Sequence, residues 1–183
     1  ENFEAPWPAL ISVSVSTDVT VVTESTDEKK FVYHSPNYEF IADVRLSKNV
    51  VNKFAVMFEA TREYCRLLPV SSMKAHIPGA QRRNTILLFE EYQSYIENGG
   101  STGSAGIYLG SKNIVMVPLQ SLGVKKVGSG YMYDHDKSNK TLTHEIIHQL
   151  TDHEYYAPGA RGWFSEGFAE YCANTPYRSG KFM

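Results

Sequence analysis

The chain has 183 residues, 18 Lys+Arg against 20 Asp+Glu for a formal net charge of -2, 42% hydrophobic residues and a mean hydropathy of -0.32. That is enough apolar mass for one packed domain, so global disorder and a disulfide-stapled miniprotein are excluded, and no broad basic field is present to hold a nucleic acid or an anionic membrane. The longest apolar runs are four or five residues, against the roughly 18 that a membrane-crossing helix needs, so no membrane span is expected.

The sequence starts at Glu1 with neither a basic n-region nor an apolar h-region, so any targeting peptide lies outside it. That start and a Ser/Thr/Tyr-rich composition favour an extracytoplasmic or secreted location. Ile11 to Thr23 alternates Ile and Val with Ser and Thr, the period of a half-buried strand. A polar cluster at 23 to 30 reads as a turn. Phe31 to Tyr33 and Tyr38 to Ile41 continue the strand pattern around Pro36, making residues 1 to 45 a strand-rich part. From Ser47 the apolar positions recur at three- and four-residue steps through Leu68. The spacing predicts an amphipathic helix capped by Ser47 and stopped by Pro69.

Thr85 to Phe89 is a buried-strand run, followed by a helix-compatible segment from Glu90 to Glu97. The glycine-rich stretch from Gly99 to Gly110 reads as a loop, Asn113 to Val117 as a strand, and 123 to 136 as another loop. A helix follows at 139 to 151 with Asn139 or Thr141 as cap, and a further one from Ser165 to Ala173. Strands and helices interleave without an internal repeat or linker. The expected fold class is therefore α+β, one domain over 1 to 183, with a mixed sheet and the chemistry in the region 85 to 183. Cys65 and Cys172 are too few and too far apart for a CxxC-type site. They leave one disulfide or two buried thiols, the second being the favoured reading.

The helix at 139 to 151 contains His144-Glu145-Ile146-Ile147-His148, which is H-E-x-x-H in full. Residues four apart share a helix face about 6 Å apart along the axis, so both imidazoles reach one ion. Glu145 sits one residue further round, off the metal but beside a water on it, where a general base is wanted. A catalytic zinc site keeps three protein ligands and one open position. A metzincin would place its third His at 154 and a Gly at 151, where the chain has Glu154 and Thr151. Asp152 and His153 point off the metal-facing side if the helix continues, which leaves Glu166 as the better third ligand.

His144-Glu145-x-x-His148 followed by Trp163-Phe-Ser-Glu166-Gly-Phe-Ala-Glu170-Tyr171 resembles the gluzincin signature, most closely that of the peptidase-MA-like family. The resemblance implies a small zincin-like domain in which Zn2+ is bound by His144, His148 and Glu166, with Glu145 as general base in hydrolysis of a peptide or protein substrate. Glu170, and with less weight Asp152, are candidates for orienting a ligand histidine. Tyr131, Tyr133, His135, Tyr155, Tyr156, Tyr171 and Tyr177 are candidates for stabilising an oxyanion, and spacing does not choose among them. The strand at 113 to 117 is a candidate sheet edge for an extended substrate, with an ordinary core strand at least as good a reading. Only 17 residues follow Glu166, so the helical lower wall of larger gluzincin clefts is either missing or lies outside this chain. That motivates an alternative, a catalytically inactive zinc-binding domain that holds a peptide or protein partner. A metal-free interaction domain is the remaining rival.

Overall fold

The computed structural model describes residues 11–12, 17–68, 83–137, 139–151 and 161–182. Four strands, β1 (Ile11–Ser12), β2 (Thr20–Ser25), β3 (Lys30–His34) and β4 (Tyr38–Ala42), precede the long helix α1 (Lys48–Leu67). After it come β5 (Asn84–Phe89), α2 (Tyr92–Glu97), β6 (Ile107–Leu109), β7 (Ile114–Pro118) and the one-turn α3 (Leu119–Leu122). Then follow β8 (Val124–Val127), β9 (Gly130–Tyr133), α4 (Lys140–Leu150), α5 (Arg161–Asn174), β10 (Tyr177–Arg178) and β11 (Lys181–Phe182). Six strands form one mixed sheet in the order β2-β3-β4-β5-β7-β6, in which β5 runs parallel to β4 and β7 and the other pairs are antiparallel. The α+β class stands.

The parallel β4–β5 pair requires a crossover, and α1 supplies it. Ser47 caps α1 by accepting the Val50 amide at 3.3 Å, while Pro69 lies outside the described residues. On β4, Tyr38, Phe40 and Ala42 face the core and alternate with half-buried Glu39 and Ile41. Phe40 meets the α1 rings Phe54 and Phe58 edge-on at centroid distances of 5.3 and 5.0 Å, a favoured aromatic geometry. The buried Tyr33 hydroxyl fixes the run into α1, donating to the Leu46 carbonyl and accepting the Leu46 amide.

Several expectations need correction. The predicted loop from Gly99 to Gly110 contains β6, and the predicted loop from 123 to 136 contains the β8–β9 hairpin. Both strands of that hairpin meet at a two-residue turn, Gly128-Ser129, with Gly128 at φ 61. This is the turn chemistry that two-residue hairpins favour, which the glycine content had masked. The hairpin is anchored where Lys126 and the Tyr131 hydroxyl both donate to Glu90. β2 runs on to Ser25, so the first turn begins later than expected, and Val13 and Val15 of the predicted first strand lie outside the described residues. The terminal β10–β11 hairpin was not foreseen, although its Phe182 stacks on Tyr64 of α1 at 4.4 Å. β7 is an interior strand between β5 and β6, so the sheet edge is β6 and not the strand at 113 to 117.

Cys65 and Cys172 are free and buried. Burial pushes the Cys65 thiol up to about 12 and raises that of Cys172 as well. They pack as small apolar groups. Among the described residues, no helix is long and apolar enough to cross a membrane.

Candidate metal centre

Helix α4 is amphipathic, with Leu142, Ile146, Ile147 and Leu150 buried in the main core. Its polar face is set by that apolar one, since His144 and His148 occupy the i and i+4 positions of the opposite side. Gln149, fully buried, locks the helix to the sheet by donating through Nε2 to the carbonyls of Thr85 and Asn113, each at 3.0 Å. Two carbonyls at the starts of neighbouring strands therefore hold the last turn of α4.

Helix α5 begins at Arg161, about one turn earlier than predicted, so Glu166 stands in the second turn and not at the helix start. A carboxylate there has no special claim on the helix dipole. Phe168, Ala169 and Cys172 are buried and seat α5 against the core, while Trp163, Glu166, Glu170 and Tyr171 face outward.

The two helices bring His144, His148 and Glu166 together, with one ligand atom from each within 4.8 Å of the others. His144 Nε2 lies 3.0 Å from His148 Nε2 and 3.1 Å from Glu166 Oε2, and His148 Nε2 lies 3.3 Å from Glu166 Oε1. Ligands about 2.0–2.1 Å from a tetrahedral zinc stand roughly 3.3 Å apart, so the observed triangle is close to one that an ion would occupy. Both histidines also have the far nitrogen engaged. His144 Nδ1 is 3.4 Å from Glu170 Oε2, and His148 Nδ1 is 3.2 Å from Ser165 Oγ. Partners at Nδ1 fix the tautomer that leaves the Nε2 lone pair facing the ligand point. The donor set fits zinc.

Glu170 thus stands beside His144, and Asn174 braces it by donating to its Oε1 at 2.6 Å. Asp152 and His153 lie outside the described residues. Ser165 was not foreseen, because a serine beside a glutamate carries no pattern of its own.

Glu145 is turned away from this triangle toward β6, where its Oε2 accepts the Tyr108 amide at 2.8 Å. Burial raises its carboxyl above the ordinary value, the Tyr108 bond and His144 pull it down, and Glu166 pushes it up. The Tyr108 ring stacks near His148 at a centroid distance of 6.5 Å. No sequence signal marks this contact, since the donor is backbone. The tyrosine candidates separate: Tyr131 is tied to Glu90, while Tyr133, His135 and Tyr177 line a different cavity. Tyr171 is half exposed on α5, and Tyr155 and Tyr156 lie outside the described residues.

No family model, no curated protein and no solved structure matches this chain.

Proposed function

We propose that the chain is a zinc-dependent peptide hydrolase of the gluzincin kind, with a zincin-like arrangement of α4, α5 and the mixed sheet. The observation that carries this reading is the division of labour on α4. His144 and His148 converge on one point with Glu166, while Glu145, between them in sequence, is held off that point by a backbone amide. A zinc ion held by His144, His148 and Glu166 would supply a Lewis acid and lower the pKa of a water toward 7. Glu145 takes the proton of the attacking water and passes it to the leaving amine. Its half-buried setting, with a raised carboxyl pKa, suits a group that must both accept and return a proton. Edge strand β6 lies alongside, its outward amide at Tyr108 taken by Glu145.

The test is metal content after mild purification, followed by cleavage of a mixed peptide library. Stoichiometric zinc with turnover that a chelator abolishes is the expected result. Stoichiometric zinc without turnover would turn the reading to a zinc-binding domain that holds a peptide or protein partner. A metal-free protein would end both.

A further inference from the structure

At the N-terminal end of α4 lies a cavity of about 440 Å³, walled by α1, the segment after β9, the first turn of α4 and the β10–β11 hairpin. Its volume is within the range of small-molecule sites. Lys53, Lys137, Lys140 and Arg178 line it, against a single acid, Asp136, among the described residues. Four cations gathered from four elements around one hollow are not demanded by a chain whose net charge is -2. Nor are they fully neutralised within the protein: among the described residues none of the four forms an ion pair, although the Lys137 charge helps to lower the Asp134 carboxyl, and Lys140 donates to the neutral Asn174 Oδ1 at 2.9 Å. Like charges brought together repel unless an anion stands between them.

Three further features agree with that deficit of negative charge. Asn139 precedes α4 without a side-chain capping bond, so the first-turn amides of an eleven-residue helix add positive potential at the same wall. Asn139 Oδ1 is buried without a hydrogen-bond partner, and it offers one acceptor for a hydroxyl or for the proton of a singly protonated phosphate. Tyr133, Tyr177 and Phe182 give the cavity an aromatic wall for the body of a ligand.

We infer that this cavity binds a small oligoanion, a molecule carrying a phosphate or clustered carboxylates on a compact body. Lys137 and Arg178 contact the anionic group from opposite rims, and Lys53 completes the charge from α1. Lys140 and Ala173 also border the cleft that holds His144 and Glu145, so the two hollows adjoin. The inference does not depend on a metal.

Isothermal titration at low ionic strength, with pyrophosphate as the phosphate probe and citrate as the carboxylate probe, tests it on chelator-treated full-length chain. Saturable one-to-one binding of at least one probe is expected, and the tighter of the two identifies the headgroup. Lys137→Glu/Arg178→Glu should weaken it by about tenfold or more, because charge-assisted contacts are replaced by repulsion. Lys53→Glu, on an exposed α1 position, should weaken it independently. Lys30→Glu/Lys112→Glu, an equal charge change on residues outside the cavity, should leave it within about twofold. No saturable binding of either probe would overturn the inference. So would equal losses in the two double variants, or binding that appears only when zinc is added back to the chelator-treated chain, which would put the anion on the histidine site.

Discussion

The two helices that build the candidate centre differ in how they are held. Helix α4 is embedded, with four apolar residues in the core, a buried Gln149 bonded to two strands, and histidine side chains only 20% and 14% exposed. Helix α5 is seated on one narrow face, and its contribution, Glu166, is 64% exposed beside a Trp163 that is 72% exposed. Groups that must keep their geometry sit on the embedded helix. The group on the open helix can bind through either carboxylate oxygen, so small movements of α5 cost it less. Under the proposed function, rigid support for the two histidines and tolerance at Glu166 would suit a site that admits large substrates.

The largest effect should come from His148→Ala, which removes a ligand from the embedded side and is expected to abolish stoichiometric zinc, measured by metal analysis. Glu166→Ala should lower zinc affinity far more than Glu170→Ala, and full retention of zinc would show that the third ligand lies elsewhere. Next, Glu145→Gln should keep zinc and fold while lowering peptide cleavage by about 10² to 10⁴, with the loss on kcat. Equal rates in parent and variant, both with zinc, would sink the general-base assignment.

A packing change sharpens the contrast between the helices. Phe168→Ala on the seated face of α5 should cost about 3–5 kcal/mol in urea unfolding, whereas Trp163→Ala should stay within about 0.5 kcal/mol. Similar costs would mean that the outer face of α5 is packed against something after all. Smaller still, Glu170→Ala and Ser165→Ala should weaken zinc by roughly 10- to 100-fold each, by freeing the ring each one orients. Competition with a chelator of known affinity would read this.

The smallest effect lies away from the site. Lys126 and then Tyr131 hold the Glu90 carboxyl below its ordinary 4.5. A folded pKa below the unfolded one gives stability that is present above about 4.5 and is lost as pH falls through the folded value. Glu90→Gln should therefore be less stable than the parent at neutral pH, by on the order of 1 kcal/mol, and the gap should narrow as pH falls below about 4.5 and vanish once pH is below the folded value. A gap of constant size across that range would show that the hairpin is held by packing and not by charge.

What was legible in the sequence follows from how each feature is encoded. H-E-x-x-H on an amphipathic helix, and Glu166 within a W-x-x-E-G-x-A-x-Y run, are side-chain patterns, and the structure brings those residues together. The α1 helix and strands β3 to β5 and β7 announce themselves by periodicity and are found within a residue or two. β6 and the β8–β9 hairpin were hidden because three- and four-residue strands flanked by glycine have too few alternations to register, and a turn signal, Gly128-Ser129, exists only for the hairpin. The early start of α5 was missed because Gly162 sits in its first turn, where glycine argues against helix. The bonds from Tyr108 to Glu145 and from Ser165 to His148 depend on tertiary approach, which no local spacing encodes.

One consequence of β6 concerns solubility. A strand at a sheet edge offers unpaired amides to any extended chain, including another copy of the same protein. Here the edge is three residues long, and Tyr108, whose amide turns away from β7, gives it to Glu145. The carboxylate assigned to proton transfer thus also screens the exposed edge, placing a negative charge where a foreign strand would have to pair. Replacing it with an uncharged side chain takes away that repulsion, so Glu145→Gln should be followed by light scattering as well as by activity.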